Sequence, residues 1–452
     1  MMTSTDRDWT TELRHAVAAG DLARVLSLLR EHFDDHELAT RLEAVPGPQL
    51  RSLLRFIGDD ESARLLSRLD AAGAAALLDR LAVSDAADIL EVMAPDDAAD
   101  VIAEIPPSEA AEILIEMEPA EADELRELME YPPDTAGGRM TPAFVAVDPE
   151  LRVDETIRAL RQVAQTAETI NYVYVIDDDG VLLGVLLLRD LVLNPPATRI
   201  RDLMVTDVVQ VPAMADQEEV AHLLNDLDLL ALPVVDDAGR LLGIITADDV
   251  ADILEEETTE DIERLGGSLP LTVSYLRASP FLLWRRRVVW LLVLFAGAAY
   301  TTTVLRLFEE QIEELVVLSF YIPLLIGTGG NVGSQVVTTL VRAMSVEGIG
   351  LRDVGRVLLK EMQVGLMLGA VMAAVMFVRA WIGGTGYDIA FVVALAVAVI
   401  VVWATLVGAF LPLLLRRLGL DPAVVSAPLI TTIVDGTGLL IYFLLARLIL
   451  DL

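Results

Sequence analysis

Five long apolar stretches in its second half constrain the fold of this 452-residue chain more than any other feature. Roughly 20 apolar residues are enough for a helix to cross a bilayer. The stretches at 315–341 and 389–415 contain no charged residue. We therefore predict five membrane-spanning helices, at Val288–Leu307, Leu315–Val341, Met362–Val378, Ile389–Leu415 and Pro422–Ala446.

Basic residues predict how these helices are oriented. Arg285, Arg286 and Arg287 precede the first span, and Arg416 and Arg417 join the fourth to the fifth. Loops rich in Arg and Lys stay on the cytoplasmic side of a membrane. The first dozen residues are polar and lack the apolar segment of a signal peptide. We therefore expect a multi-pass protein of the plasma membrane, with its amino terminus in the cytoplasm and its carboxyl terminus outside.

The net negative charge of the chain lies entirely in its first part. Up to Pro280 there are 21 Arg against 58 Asp and Glu, a net charge of −37, whereas the remainder has a net charge of +1. A surface of this sign attracts cations and repels nucleic acid. Two interpretations remain open, that the carboxylates bind divalent cations or that they only keep the domain soluble.

Several classes of site are excluded by residue types. The chain has no cysteine, so thiolate metal sites and disulfides are absent. Its single lysine, Lys360, follows no glycine-rich loop, so a P-loop is absent. His32 and His36 are four residues apart without further ligands, and we expect them to be surface residues. No catalytic constellation is present, and we expect no enzymatic activity.

Two internal repeats organise the first part. Residues 54–131 repeat with a period of 12, and prolines punctuate the units, which predicts a stack of short helices. Residues 172–191 then match residues 231–250, each with an apolar run, an Asp/Gly turn, a second run and a helix start. These tandem units resemble a pair of CBS domains.

The second CBS copy carries a candidate nucleotide site. Residues 243–249 resemble the CBS pattern in which a hydroxyl and a carboxylate bind an adenosine, here Thr246 and Asp249. The first copy has Leu187 at the hydroxyl position, so one site per chain at most is intact. ATP or another adenine nucleotide is the expected ligand. The alternative is that Thr246 and Asp249 only cap a helix.

A single aspartate, Asp435, lies between apolar flanks in the last span. A carboxylate at this depth is costly and usually faces a bundle interior or a water-filled path. The alternative is a protonated, structural side chain. The second span is interrupted by Gly327, Thr328, Gly329, Gly330 and Asn331, whose backbone could line a pore or serve close packing.

The order of these features resembles the MgtE family of magnesium channels along essentially the whole chain. TGGNVGSQ in the second span and PLITTIVDGTGLLIYF in the last carry the resemblance, together with the acidic run at 248–263 that leads to the membrane. The implied fold is a multidomain membrane protein. It comprises an all-α helical repeat domain (1–131), two α/β CBS domains (132–200 and 201–258), a linking plug helix (259–283) and a five-helix transmembrane domain (284–452).

The resemblance also implies a function, a Mg²⁺-selective channel that is closed by cytoplasmic Mg²⁺. The pore would lie between two copies in a homodimer, with Mg²⁺ at Asp435 and with Thr431 and Thr432 among the lining residues. Cytoplasmic Mg²⁺ would bridge the helical and CBS domains. The implied sensor ligands are Asp96, Asp97, Asp100, Asp228, Asp249, Asp252, Glu257, Glu260 and Asp261.

Three positions depart from the family pattern, namely Ser334, Ala427 and Gly436. They leave selectivity among divalent ions open, because retained waters with one or two carboxylates suit Mg²⁺ without excluding Mn²⁺ or Co²⁺. The alternatives are therefore a CBS-regulated transporter or exporter of Mn²⁺ or Co²⁺, and a non-conducting membrane sensor of Mg²⁺.

Overall fold

A computed structural model of the chain describes residues 4–30, 38, 41, 42, 44–164, 166–271, 275 and 278–451. His32 and His36 lie outside the described residues. The chain divides into two compact units, Met1–Glu255 and Glu256–Leu452.

The first unit opens with a stack of short helices, as the repeat predicts. Helices α6 to α9 start twelve residues apart, and the equivalent alanines Ala86, Ala98, Ala110 and Ala122 are all buried. From α4 to α9, each helix packs against the next but one. The helices are α1 Ser4–Ala19, α2 Leu22–Arg30, α3 Gly47–Ile57, α4 Asp59–Leu66, α5 Ala71–Leu78, α6 Val83–Leu90, α7 Pro95–Ala103, α8 Pro107–Glu116 and α9 Pro119–Leu128.

Two similar three-stranded sheets follow, which confirms the CBS pair. In each sheet a short first strand pairs parallel to the second strand, and the second pairs antiparallel to the third. The strands are β1 Ala146–Val147, β2 Tyr172–Ile176, β3 Leu182–Leu187, β4 Val211–Pro212, β5 Ala231–Val235 and β6 Leu241–Thr246. The helices are α10 Val153–Val163, α11 Leu188–Leu193, α12 Gln217–Asp226 and α13 Ala247–Leu265.

The two CBS copies exchange their opening segments. A Cβ on Gly243 of the second copy would meet Met140, which opens the first copy, and a Cβ on Gly184 of the first would meet Met204, which opens the second. Isolated bridges join Thr141 to Ile244 and Val185 to Val205. Each glycine therefore makes room for the opening segment of the other copy.

The helical stack and the second CBS copy share one hydrophobic core. It extends from the helices, through Leu125, to Leu232 and Ile245 of the sheet and to Ile253 of α13. The first CBS copy has a separate core around Val173. Helix α7, which carries the predicted ligands Asp96, Asp97 and Asp100, thus belongs to the same packed body as the start of α13.

The second unit contains the membrane helices. Five helical segments in the described part are long and apolar enough to cross a membrane, as predicted. The fifth begins at Ala427, five residues later than predicted, because Pro422–Val424 form a separate 3₁₀ segment. The helices are α14 Pro280–Leu307, α15 Glu309–Glu314, α16 Ile322–Glu347, α17 Val354–Ile382, α18 Tyr387–Arg417 and α19 Ala427–Leu450. A 3₁₀ segment, Val316–Tyr321, precedes α16.

The linking helix differs from the sequence expectation of 259–283. Helix α13 begins at Ala247 and ends at Leu265, before the pair Gly266–Gly267. Gly267 has a φ of +76°, which L side chains adopt rarely, and a Cβ there would also meet Trp290. The chain therefore leaves the helical path at the glycine pair, and the next helix among the described residues starts at Pro280, where the Ser279 hydroxyl accepts from the Leu282 N–H.

Candidate functional site

Asp435 lies near the middle of α19, where its neighbours along the chain are apolar or small. Its Oδ1 atom is buried and, within the described residues, has no hydrogen-bond partner. An unsatisfied carboxylate oxygen inside a membrane helix is costly unless a cation, water or a proton completes it. Within the described residues, Asp435 is thus not a member of a salt bridge, and its Oδ1 is left for a cation, a water or a proton.

The glycines of α16 bring that helix against α19. A Cβ on Gly329 would meet Val434, and one on Gly330 would meet Thr431. Gly333 is equally close to Ile430. Small residues at this spacing let two helix backbones approach closely. Gly329 and Gly330, predicted to line a pore, are therefore packing positions within one copy.

The other predicted pore residues are more accessible. Gly327 and Asn331 are exposed, and Cβ on Gly327 would meet no atom within 4 Å. The hydroxyls of Thr328, Thr431 and Thr432 donate to carbonyls one turn earlier, at 2.6, 3.0 and 2.9 Å. These bonds satisfy the hydroxyl protons and leave hydroxyl lone pairs that can accept from a hydrated ion.

Sequence reasoning missed how far the polar surface of α16 extends. Gln335, Thr338 and Thr339 are exposed together with Asn331, at helical spacing along one side. Polar side chains at membrane depth pair across a helix interface or face water. The signal was present in the sequence as polar residues three or four apart, continuing beyond the glycine-rich segment.

The three departures from the family pattern lie at helix contacts. The Ser334 hydroxyl lies 3.4 Å from the Ala427 carbonyl oxygen and 3.4 Å from the Thr431 hydroxyl, so two of the departures meet each other. A Cβ on Gly436 would collide with the Tyr300 ring. Gly436 therefore leaves space for an aromatic ring of α14 beside the candidate ion site.

A second cluster of carboxylates lies within the first unit. Asp96 and Asp97 are in the first turn of α7, and Asp249 is in the first turn of α13. Burial, then the negative charges of Asp249 and Asp97, raises the pKa of Asp96 to about 8. Its Oδ1 is buried and, in the part of the chain that is described, has no hydrogen-bond partner. We name Asp96, Asp97, Asp249 and Glu168 the acidic cluster.

The other members of the acidic cluster have raised pKa values as well. Burial raises the pKa of Asp97, and a hydrogen bond with Ser67 opposes this shift. The negative charges of Asp252 and Asp248 raise the pKa of Asp97 further. Burial, then the charges of Asp249, Asp248 and Asp97, raises the pKa of Glu168. Mutual raising of this kind marks carboxylates that repel one another.

Glu168 was not among the residues predicted from the sequence. It is a partly exposed residue after α10 in the first CBS copy, where neighbouring groups still shield its carboxylate, and its backbone N–H donates to the Ala143 carbonyl. No local pattern distinguishes it from other surface glutamates. Only the fold brings its charge close to Asp96 and Asp249.

The candidate nucleotide residues form a helix cap in this structure. The Thr246 backbone N–H donates to Asp249 Oδ2 at 3.0 Å, and the Thr246 hydroxyl lies 2.6 Å from Asp249 Oδ2 and from Asp248 Oδ1. Thr246 is buried. The first contact is one half of a capping box, in which a carboxylate at the third helical position accepts from the backbone N–H before the helix, and a nucleotide would have to compete for the same groups.

The remaining predicted sensor residues are dispersed. Asp228 is exposed in a turn with a φ of 51°, and Asp252 is exposed on α13. Asp100 pairs with Arg139 at 3.2 Å. Beyond Glu255, Glu260 pairs with Arg264, which also contacts Asp421, and Asp261 accepts from Ser345 at 3.4 Å. Glu257 is half-buried on α13.

The described residues contain no group of three or more His, Asp or Glu side chains arranged to hold a metal ion. The acidic cluster supplies carboxylates that could hold a hydrated cation. Among the described residues Asp96 Oδ1 has no partner, and the neighbouring groups are carboxylates, the ligand type that Mg²⁺ prefers. Mg²⁺ retains several waters and needs only one or two direct carboxylates.

Comparison with known proteins gives consistent matches along the chain. Family models match as the MgtE intracellular N domain at residues 33–134, as the CBS domain at 136–195 and 200–256, and as the divalent cation transporter MgtE at 322–445. The chain is 48% identical over 324 residues to the magnesium transporter MgtE of Thermus thermophilus, which is 72% of each chain. It is 35% identical over 316 residues to that of Bacillus subtilis, which is 70% of each.

Among solved structures, the chain is similar to the cytosolic domain of the Mg²⁺ channel MgtE in complex with ATP. The two are 37% identical, with 54% of this chain and 99% of that one covered, at a TM-score of 0.49. The soluble part of a magnesium transporter is 30% identical, with 56% and 99% covered and a TM-score of 0.49.

Proposed function

The chain belongs to the MgtE family of divalent cation transporters, and on that premise we propose that it is a Mg²⁺-selective channel closed by cytoplasmic Mg²⁺. The observation that carries the proposal is the unpartnered, buried Oδ1 of Asp435 in a membrane helix with no neighbouring charge along the chain. Conduction needs a site that binds the ion, but weakly enough to release it again. One carboxylate per subunit, used through retained waters, meets both conditions.

The proposed pore lies between two copies of the membrane unit, in a lipid bilayer. Support comes from the polar side of α16, where Asn331, Gln335 and Thr339 are exposed in one copy. Lipid is a poor environment for these groups, whereas a second copy or a water-filled path satisfies them. In a homodimer, two copies of Asp435 would then act on one ion path, with Gly327, Thr328, Thr431 and Thr432 supplying further oxygens.

Gating is proposed to reside in the acidic cluster. Without a cation, the carboxylates of α7 and α13 repel, as their raised pKa values indicate. Bound Mg²⁺ neutralises them and favours the arrangement in which they are close, so the ion selects a conformation by differential affinity. Asp252, Glu257 and Asp228 are proposed as outer contributors, and Glu260 and Asp261 act where α13 continues toward the membrane helices.

The orientation follows from the positions of basic residues. With the amino terminus in the cytoplasm, the acidic cluster measures cytoplasmic Mg²⁺, and flow is inward. An inside-negative potential supplies about 2.3 kcal/mol per charge per 100 mV, which is doubled for a divalent ion, so no pump is needed. An adenine nucleotide such as ATP is proposed as a ligand of the CBS pair at Thr246 and Asp249, where it would replace the cap contacts.

The test is Mg²⁺ influx into proteoliposomes that contain a Mg²⁺-sensitive dye. We expect Asp435→Ala to lower the flux at least roughly tenfold, since even an outer-shell partner of a metal costs about 10–100-fold when lost. The matched control is Asp388→Ala, an exposed carboxylate in the first turn of α18. If Asp435→Ala conducts like the control, the pore assignment is wrong. Flux that requires an opposing ion gradient would instead support an exchanger. A Mn²⁺ flux equal to the Mg²⁺ flux would support a transporter of several divalent cations.

A further inference from the structure

Asp100 is placed differently from the other carboxylates of α7. It lies on the same side of the helix as Asp96, one turn later, because residues four apart align on a helix. Asp100 Oδ2 accepts from Arg139 Nη1 at 3.2 Å, whereas Asp96 faces the negative charges of Asp249 and Asp97. One face of α7 therefore meets repulsion at its first turn and attraction at its second.

Arg139 is held on the CBS side of this contact. Its Nε donates to Gln217 Oε1 at 2.9 Å, and Gln217 is buried in the first turn of α12. The preceding residues are also fixed, since the Gly137 N–H donates to the Ala213 carbonyl at 2.7 Å. The Arg139 guanidinium is thus held on the CBS side by Gln217, and its Nη1 donates to Asp100 on α7.

The tight turn before Arg139 allows no side chain at two positions. A Cβ on Gly137 would meet the Tyr131 ring, and one on Gly138 would meet the Pro132 carbonyl oxygen. The sequence Gly137–Gly138–Arg139 therefore fixes where the arginine leaves the backbone. The Arg139 side chain is 18% exposed and that of Asp100 is 34% exposed, so the pair is partly shielded from water.

We propose that Arg139 is a positioning residue for the Mg²⁺ sensor, a metal-independent pivot that holds the second turn of α7 to the CBS pair through Asp100. This inference rests on the proposed function and refines it, because it removes Asp100 from the set of Mg²⁺ ligands. When the acidic cluster is empty, its repulsion separates the first turn of α7 from α13. The pivot keeps the second turn of α7 attached to the CBS pair. Mg²⁺ therefore has to close only a short distance between the first turn of α7 and α13, and does not have to bring back a fully separated helical domain.

The experiment is limited proteolysis of the full-length protein in detergent across a Mg²⁺ titration. The variants are Arg139→Gln, Asp100→Asn and the double variant. A pivot predicts that each single change raises the Mg²⁺ concentration for half-maximal protection, about 3- to 10-fold for a partly buried charge pair, with Arg139→Gln at least as large because it also loses the contact with Gln217. The double variant should be no worse than Arg139→Gln, because both changes remove the contact between Arg139 and Asp100.

Other outcomes overturn the inference. If Asp100 is a Mg²⁺ ligand, Arg139→Gln frees its carboxylate and lowers the required Mg²⁺ concentration, whereas Asp100→Asn raises it. If neither change moves the midpoint, the pair has no positioning role. Arg139→Lys should recover part of the effect, since Lys keeps the charge but cannot contact Gln217 and Asp100 with one planar group.

A control separates this result from simple loss of an ion pair. Arg158 and Asp154 pair at 2.8 Å within α10 of the first CBS copy. Arg158→Gln should leave the Mg²⁺ midpoint unchanged, and thermal unfolding at saturating Mg²⁺ should show that every variant is folded. If the unmodified protein shows no Mg²⁺-dependent protection, the gating proposal fails. If protection is present and Arg139→Gln does not shift it, only the pivot fails.

Discussion

The carboxylates of the two units of this protein differ in the charges that surround them. In the first unit, burial and the charges of Asp249 and Asp97 raise the pKa of Asp96, and burial and the charges of Asp248 and Asp97 raise that of Asp249. In the second, Asp435 has no ionisable neighbour along the chain, and Glu260 is paired with Arg264. Crowded carboxylates store repulsion that a bound cation releases, so they suit a switch. A solitary carboxylate binds one hydrated ion weakly, so it suits passage.

The largest effect that could break this comparison is expected at the acidic cluster. Neutralising Asp96, Asp97 and Asp249 together to Asn removes the proposed Mg²⁺ ligands and their repulsion at the same time, so the response of closure to cytoplasmic Mg²⁺ should weaken, with each lost ligand worth about tenfold or more in Mg²⁺ affinity. Flux through the open pore should be unchanged, because Asp435 is intact. Mg²⁺ influx at varied cytoplasmic Mg²⁺ measures both quantities.

The matched control removes the same charge elsewhere. Asp88, Asp207 and Asp237 are exposed carboxylates of the same unit. If neutralising these three carboxylates changes the Mg²⁺ dependence of closure as much as the cluster variant does, then the net negative charge of the unit is responsible. The crowding of the acidic cluster would then have no special role in gating.

A pH dependence of the first unit is the next largest effect. The folded pKa of Asp96, about 8, lies above its ordinary value of 3.8, so the compact arrangement loses stability as the pH rises through this range. Without Mg²⁺, lowering the pH from 8 to 6 should stabilise the unit by up to about 1.4 kcal/mol per pH unit. Urea unfolding of the full-length protein in chelator, at several pH values, measures this slope.

Asp96→Asn should flatten that slope, because the amide is neutral at every pH. A residual slope is expected from Asp97, Asp249 and Glu168, whose pKa values are raised in the same direction. Asp88→Asn, at an exposed site on α6, should leave the slope unchanged. A slope that survives Asp96→Asn in full would show that the repulsion lies elsewhere.

Packing around the solitary aspartate gives a smaller effect. Gly436→Ala forces a methyl group into the Tyr300 ring and should destabilise the membrane unit by about 1–3 kcal/mol. Thermal unfolding in detergent measures the change, and Tyr300→Ala in the same chain should reduce it. Gly327→Ala is the control, because its Cβ would meet no atom within 4 Å. Equal effects at both glycines would contradict the proposed contact.

The smallest effect is expected at the start of α13. Thr246→Val keeps the backbone contact with Asp249 but removes the hydroxyl that donates to Asp249 and Asp248, and should cost about 1 kcal/mol as a lost hydrogen bond. Thermal unfolding measures this cost, and ATP titration measures whether the same hydroxyl serves a nucleotide. Thr166→Val is the control, since its hydroxyl bonds only to the nearby Val163 carbonyl. Unchanged ATP binding would leave Thr246 as a cap alone.

The bounds of the membrane helices show one limit of sequence reasoning. The first span was predicted from Val288, but α14 begins at Pro280, after the Ser279 cap. An apolar stretch measures how much of a helix lies in hydrocarbon, whereas helical hydrogen bonds continue through polar turns such as Arg285–Arg287. The predicted linking helix shows the converse, because the pair Gly266–Gly267 ends α13 well before residue 283.

The sequence by itself determined the architecture, because the signals involved are local or periodic. Apolar length gave five membrane helices, a 12-residue period gave the helical stack, and a tandem repeat gave the CBS pair. Asp435 was identifiable from its apolar flanks alone. Each of these features follows from hydropathy and hydrogen bonding between residues that are near in the chain.

Only the tertiary structure decided which distant groups meet. It brought Asp96 and Glu168 to Asp249, paired Asp100 with Arg139, and exchanged the opening segments of the CBS copies. The approach of Asp96 to Asp249 depends on a shared core that joins the helical stack to the second CBS copy. The charge of each residue is known from the sequence. Whether two charges repel or pair depends on their distance and burial, and only the packing of the folded chain determines these.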